Sequence, residues 1–171
     1  MDTKNLIWCL NLKKGIKLVN PDIDLSDKYM AKAGVSFEVT KKLKKYQCWA
    51  ITAAYYSMYF GLYSILAKIG IKCENHFCSL ELMRTMLEGY FSNSEFNLVV
   101  KARKLNIDTE QYPDKEISIS EYKGLMKVVP VFLVKCRLIL NGLSIEQIND
   151  IRNEINGLRL GSEQTRLYDA P

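Results

Sequence analysis

His76 is the only histidine in the chain, and it stands between two cysteines in the pattern Cys73-x2-His76-x-Cys78. Two thiols and an imidazole at this spacing could begin a zinc site, but zinc asks for four ligands, usually from two ligand-bearing turns. Cys48 or a carboxylate would have to complete the set, and no spacing singles one out. A histidine at a helix start beside two half-buried thiols accounts for the same residues. A Cys–His nucleophile is equally unsupported, because neighbours this close in sequence seldom present thiol and imidazole in attack geometry. Neither a metal nor a cofactor is expected.

The segment KARKLNIDTEQY, residues 101–112, offers different chemistry. Arg103 supplies a planar fork for phosphate and Lys104 a second cation. Asp108 and Gln111 can read base edges, and Tyr112 can stack on a base. A helix end followed by a polar loop would use the same residues, with Asp108 and Glu110 simply solvated. Arg152, Arg159 and Arg166 form a second basic set near the C-terminus. No glycine-rich phosphate loop is present.

These groups sit in a chain of 171 residues, 48% hydrophobic and 25% charged. That is one domain's length, enough to bury roughly 70% of the surface of the unfolded chain. The net charge of +5 is concentrated in residues 1–45, which hold ten lysines against five acids, densest at Lys41, Lys42, Lys44 and Lys45. A patch of this kind attracts phosphate backbones or an acidic partner, although lysines at a helix end also complement the helix dipole. No charged n-region leads into an apolar core near residue 1, so a secretory signal is not expected. Five cysteines at irregular spacing argue against a disulfide framework and for a reducing, cytoplasmic setting.

The elements that must position these groups read as helices. Residues 1–21 suggest a short helix and an extended arm closed by Asn20-Pro21. Asp24 or Ser26 can cap the next helix, in which Leu25, Tyr29, Ala33 and Phe37 recur on one face to about Lys45. Residues 46–67 then carry no charge and five tyrosines. Their length suggests a membrane span, but tyrosines in the middle need hydrogen-bond partners, which suits a protein core or dimer seam better than lipid. Ala50, Ala54, Ser57, Gly61 and Ser64 form a stripe of small residues along which another helix can approach. Gly70 closes the helix. Lys72–Asn75 reads as a turn, 77–90 and 95–105 as helices, and 106–119, with Tyr112-Pro113-Asp114, as a loop. Ser120 opens a helix to about Leu140, which Pro130 should kink or break. Ser144-x-x-Gln147 is a capping box for a last helix over about 145–158, and the tail 159–171 has no clear period.

Residues 49–76, WAITAAYYSMYFGLYSILAKIGIKCENH, resemble the signature of the HEPN-domain family, with Ala53, Tyr55, Tyr56, Met58, Tyr59, Leu66, Gly70, Lys72 and His76 matching in order. ARKLNIDTEQY is similar to the family's later pattern of an arginine, a short polar stretch and a tyrosine. The resemblance spans about residues 24–142. It implies an all-α bundle of four to five helices, in keeping with the all-α, up-and-down reading of the helix pattern, with a short N-terminal arm and a single domain over 1–171. It also implies a homodimer, often partnered by a minimal nucleotidyltransferase in toxin–antitoxin modules.

Many members of the family are metal-independent ribonucleases that use an arginine followed after four to six residues by histidine. Here Arg152-Asn153 is followed by Gly157 and Leu158 where that histidine belongs, and Arg103 has Ile107, Asp108 and Thr109 in its window. The expectation is therefore a non-catalytic HEPN-like protein that binds nucleotide, RNA or a nucleotidyltransferase through Tyr55, Tyr59, His76, Arg103, Lys104, Asp108 and Tyr112. The alternatives are a divergent ribonuclease using Arg103 with Tyr112 or a spatially recruited His76, and a structural dimerisation module. No membrane partner is expected.

Overall fold

The uncharged stretch folds as one helix at the centre of a helical bundle, which the computed structural model describes for residues 3–112 and 117–168, with side chains to Gly161. In chain order the elements are α1 (Lys4–Asn11), β1 (Ile16–Leu18), α2 (Ile23–Lys42), the central α3 (Gln47–Ile69), β2 (Ile71–Cys73), α4 (His76–Thr85), α5 (Asn93–Gln111), α6 (Ile119–Gly142) and α7 (Ile145–Tyr168). The all-α class holds, but with seven helices among the described residues rather than four to five, because α1 and α4 are short additions to the five long ones.

α3 packs most extensively on α2 and also on α5, α6 and α7. Its small-residue stripe is what lets its neighbours approach. Ala50, Ala54, Ser57 and Ser64 are completely buried. The Ser57 hydroxyl donates to the Ala33 carbonyl of α2 at 2.8 Å. A Cβ on Gly61 would stand 3.1 Å from Leu133 and 3.2 Å from the Cys136 sulfur, both on α6. Between these small positions Ile51, Leu62, Ile65, Leu66 and Ile69 are fully enclosed, each stabilising the fold by about 1.5–3 kcal/mol. Among the described residues, no single helix is long and apolar enough to cross a membrane; only α6 and α7 together pass by length and composition, and they are bent by 100°.

Several local signals are corrected. Asp22, not Asp24 or Ser26, caps α2, accepting from the Leu25 amide at 2.8 Å. The arm at 16–18 and the turn at 71–73 pair as a two-stranded antiparallel ribbon, Ile16 opposite Cys73. α4 stops at Thr85 rather than near residue 90. Ser92 caps α5 in a reciprocal box with Glu95, and the helix runs through the expected loop to Gln111. Pro113 and Asp114 lie outside the described residues. Ser118 rather than Ser120 caps α6, again with a box, to Glu121. Pro130 does not break α6, whose next turn stays anchored by buried Val129, Phe132 and Leu133. The Ser144–Gln147 box forms, and α7 continues past 158 to Tyr168.

Gly70 ends α3 in the left-handed region at φ 80°, which an L side chain adopts at a cost. The cysteines hold the largest surprise. Cys9 of α1 and Cys78 of α4 form a disulfide across 69 residues, where the odd count and irregular spacing predicted no such bond. Trp8 packs edge-on against Phe77 beside it, at 5.9 Å between ring centroids. Cys48 is exposed and free, and Cys73 and Cys136 are buried and free.

Candidate functional site

The site is assembled where α3 passes the first turn of α4. Asn75 caps α4 by accepting from the amides of Phe77 and Cys78, which fixes His76 as the first helical residue. The four-residue spacing of α3 then presents Tyr55, Tyr59 and Tyr63 along one line. His76 lies flat on Tyr59, with ring centroids 4.0 Å apart and planes within 18°. Tyr59 meets Tyr63 at 4.5 Å, and the Ser79 hydroxyl of α4 donates to the Tyr63 oxygen at 3.4 Å.

The Tyr55 oxygen lies 2.5 Å from His76 Nδ1. Tyr55 is 1% exposed, and burial pushes its phenol well above the ordinary tyrosine range, so it keeps its proton. Nδ1 is the acceptor it has among the described residues, so the hydroxyl donates, and the ring hydrogen of a neutral His76 resides on Nε2. The imidazole pKa is held below its ordinary value first by desolvation and then by the positive charge of Arg103, with Glu110 acting in the opposite sense. Arg103 and Glu110 act on the Tyr55 phenol too. At neutral pH the imidazole is thus an uncharged hydrogen-bond donor beside a cation.

Both charges come from α5. Arg103, Asn106 and Glu110 are spaced three and four residues apart and share a face. Arg103 is half-buried, and its guanidinium has no hydrogen bond or ion pair among the described residues. Between it and Glu110 in sequence, Asn106 is 4% exposed and its Oδ1 lacks a hydrogen-bond partner among the described residues.

Of the seven residues expected to form the site, Tyr55, Tyr59 and His76 pack together, and Arg103 lies within electrostatic reach of Tyr55 and His76. Lys104 and Asp108 do neither. They face the other way, lining with Lys101 and Glu121 a cleft of about 400 Å³ between α5 and the start of α6. Tyr112 ends α5, is 56% exposed and makes no ring contact with the cluster. Glu110 was overlooked as a solvated loop carboxylate; its position seven residues after Arg103 becomes meaningful once α5 is known to reach Gln111. The Cys73, His76 and Cys78 set is not free to ligate together, since Cys78 is bonded to Cys9 and the Cys73 thiol donates to the Asn75 carbonyl at 3.3 Å. Burial raises the Cys73 pKa, keeping it a thiol.

Arg152, the arginine that opens a motif without its histidine, serves the fold. Its Nη1 donates to the carbonyls of Val19, Ile69 and Gly70 at 2.8, 2.9 and 3.0 Å. Arg166 lies outside the described side chains.

No protein-family model matches the chain, and no curated protein matches it.

Proposed function

We propose that the chain is a HEPN-like helical protein that binds a phosphate-bearing ligand, a nucleotide or RNA, at Arg103 and His76 without catalysing its cleavage. The observation that carries this is the half-buried Arg103 guanidinium, without hydrogen bond or ion pair among the described residues, in electrostatic reach of an imidazole whose Nδ1 is held by Tyr55. A cation and a neutral N–H donor on one side of the bundle suit the oxygens of a phosphate-bearing ligand. A general base would instead need the Nε2 lone pair, and the Tyr55 hydrogen bond favours the opposite tautomer.

Titration of the purified protein with RNA, read by fluorescence anisotropy, tests the proposal. Arg103→Ala should weaken binding about tenfold or more, the equivalent of one charge-assisted contact of about 1.5–3 kcal/mol. Unchanged affinity in that variant would remove Arg103 from the site.

The divergent-ribonuclease alternative gains one point in its favour. The charge of Arg103 acts on His76 although the sequence lacks the spacing of the family's dyad. Cleavage of RNA in excess chelator, lost in His76→Ala, would establish it.

The family resemblance extends the proposal to a homodimer and to a nucleotidyltransferase partner in a toxin–antitoxin-type module. An exposed stripe on α6, Val131, Val134 and Leu138 at spacings of three and four, supports a protein seam, as does the structural dimerisation alternative. Light scattering of the purified protein would distinguish monomer from dimer. A cytoplasmic setting belongs to the same proposal; the Cys9–Cys78 bond weighs against it, since disulfides are rare in reducing compartments.

A further inference from the structure

The end of α2 and its turn into α3 carry four lysines in five residues, Lys41, Lys42, Lys44 and Lys45. Between residues 28 and 60 there are six lysines and one acid, Glu38, and that acid is already paired with Lys41 at 2.6 Å. Lys42, Lys44 and Lys45 are exposed at the turn from α2 into α3. Lys32 lies over the Phe60 ring, 4.3 Å from its centroid.

These lysines flank a shallow groove of about 350 Å³ between α2 and α3, lined by Val35 and Val39 on one side and Trp49 and Tyr56 on the other. Trp49 is 67% exposed, Val35 64%, and Tyr46, next to Trp49 at the start of α3, 64%. Large aromatic rings left open to water cost free energy unless something covers them. The groove does not end blindly. Tyr56 stands in it and also meets His76 edge-on at 6.3 Å and Tyr55 at 5.4 Å. The groove and the Tyr55–His76 pair therefore share Tyr56 as a wall. From Trp49 to Tyr56 the helix advances seven residues, about 10 Å.

We infer that the α2–α3 groove is a track for single-stranded RNA that leads into the Arg103–His76 site. Bases stack on Trp49 and on the open edge of Tyr56, and Lys42, Lys44 and Lys45 neutralise the backbone phosphates. Stacking is tolerant of sequence because every base offers a π-face, and the lysines make affinity depend on salt. An acidic protein segment would answer the charge but would leave the aromatic rings without flat partners. The inference deepens the proposal of RNA binding at Arg103 and rests on it.

The test compares adenosine monophosphate with a single-stranded RNA of about twelve nucleotides, a length within the range of known single-strand sites. Trp49→Ala should weaken the oligonucleotide about tenfold, the loss expected for one stacked base, and leave the monophosphate unaffected. Lys44→Ala with Lys45→Ala should flatten the dependence of log affinity on log salt by about 1.4, the value for two released phosphate contacts on a single strand. An oligonucleotide of the same length lacking bases should bind the native protein more weakly than the ordinary one binds Trp49→Ala, since it loses the stack on Tyr56 as well. All these side chains are exposed, so folding is preserved.

If both ligands lose affinity in Arg103→Ala but the groove variants bind like the native protein, the track is wrong and the Arg103 site stands. If neither ligand binds the native protein, both fail. If a polyglutamate chain displaces the RNA as readily as unlabelled RNA does, or the abasic strand binds equally well, the groove is an acidic-protein surface and the inference is overturned.

Discussion

The Gly70 carbonyl accepts a hydrogen bond from Arg152 at 3.0 Å, joining the end of α3 to α7 across 82 residues. The same guanidinium nitrogen reaches the Ile69 and Val19 carbonyls, so one cation neutralises the negative end of the central helix and ties down the strand leading to α2. A Cβ on Gly70 would meet Arg152 Nη1, the Val19 oxygen at 2.5 Å and the Pro21 nitrogen at 2.7 Å.

Gly70→Ala should therefore destabilise twice over. The left-handed backbone alone costs an L residue about 1–2 kcal/mol, and the clash with backbone atoms adds to it. At about 2–4 °C per kcal/mol for a domain of this size, the melting temperature should fall by at least about 2 °C in a calorimetric scan. Arg152→Ala should lower it as well, and an unchanged melting temperature in both variants would contradict the clamp.

Gly61 is tight for a different reason, with Leu133 and Cys136 of α6 against it. Gly61→Leu should overpack this crossing and cost about 1–3 kcal/mol in a urea titration. A variant as stable as the native protein would mean that α6 can retreat from α3 freely.

His76, as the lone histidine, gives a single imidazole signal in a proton NMR titration. Its midpoint should lie below the ordinary value of about 6.5, because burial and Arg103 both oppose the charged form. Arg103→Ala should raise the midpoint and Glu110→Gln should lower it. A histidine with a depressed folded pKa binds its proton more readily when unfolded. Its contribution is complete above the unfolded pKa and is lost as pH falls from there toward the folded one. Urea midpoints should accordingly drop with falling pH over that window and be flatter in His76→Gln.

Cys9 and Cys78 predict a count of thiols. The denatured protein should titrate three before reduction and five after it. A link across 69 residues contributes about 4 kcal/mol on the chain-entropy account, so dithiothreitol should lower the melting temperature by roughly 8–16 °C. Five thiols in the untreated protein would rule the bond out.

Much of the fold was legible because α3 announces itself. Its small residues recur at helical spacing, its tyrosines stack at intervals of four, and Gly70 marks its end. The Ser144–Gln147 box was equally readable, since a cap is a local device. What went unread was either non-local or disguised. The ribbon strands are three residues each, too short to alternate, and they pair across more than fifty positions. Residues 106–111 look like a loop because Asp108, Thr109, Glu110 and Gln111 are polar, while the one deeply buried residue among them, Asn106, is polar too. Missing that last stretch of α5 left Asp108 in a loop free to join Arg103, when the helix turns it, with Lys104, toward the cleft before α6.

The Cys9–Cys78 bond also decides what a cut in the chain can do. It closes a covalent ring that includes the whole of α2 and α3, and the lysine-rich turn at Lys44 and Lys45 is an exposed edge of that ring. A protease nick there would sever the backbone without parting the molecule, and the two fragments would travel as one band until a reductant was added.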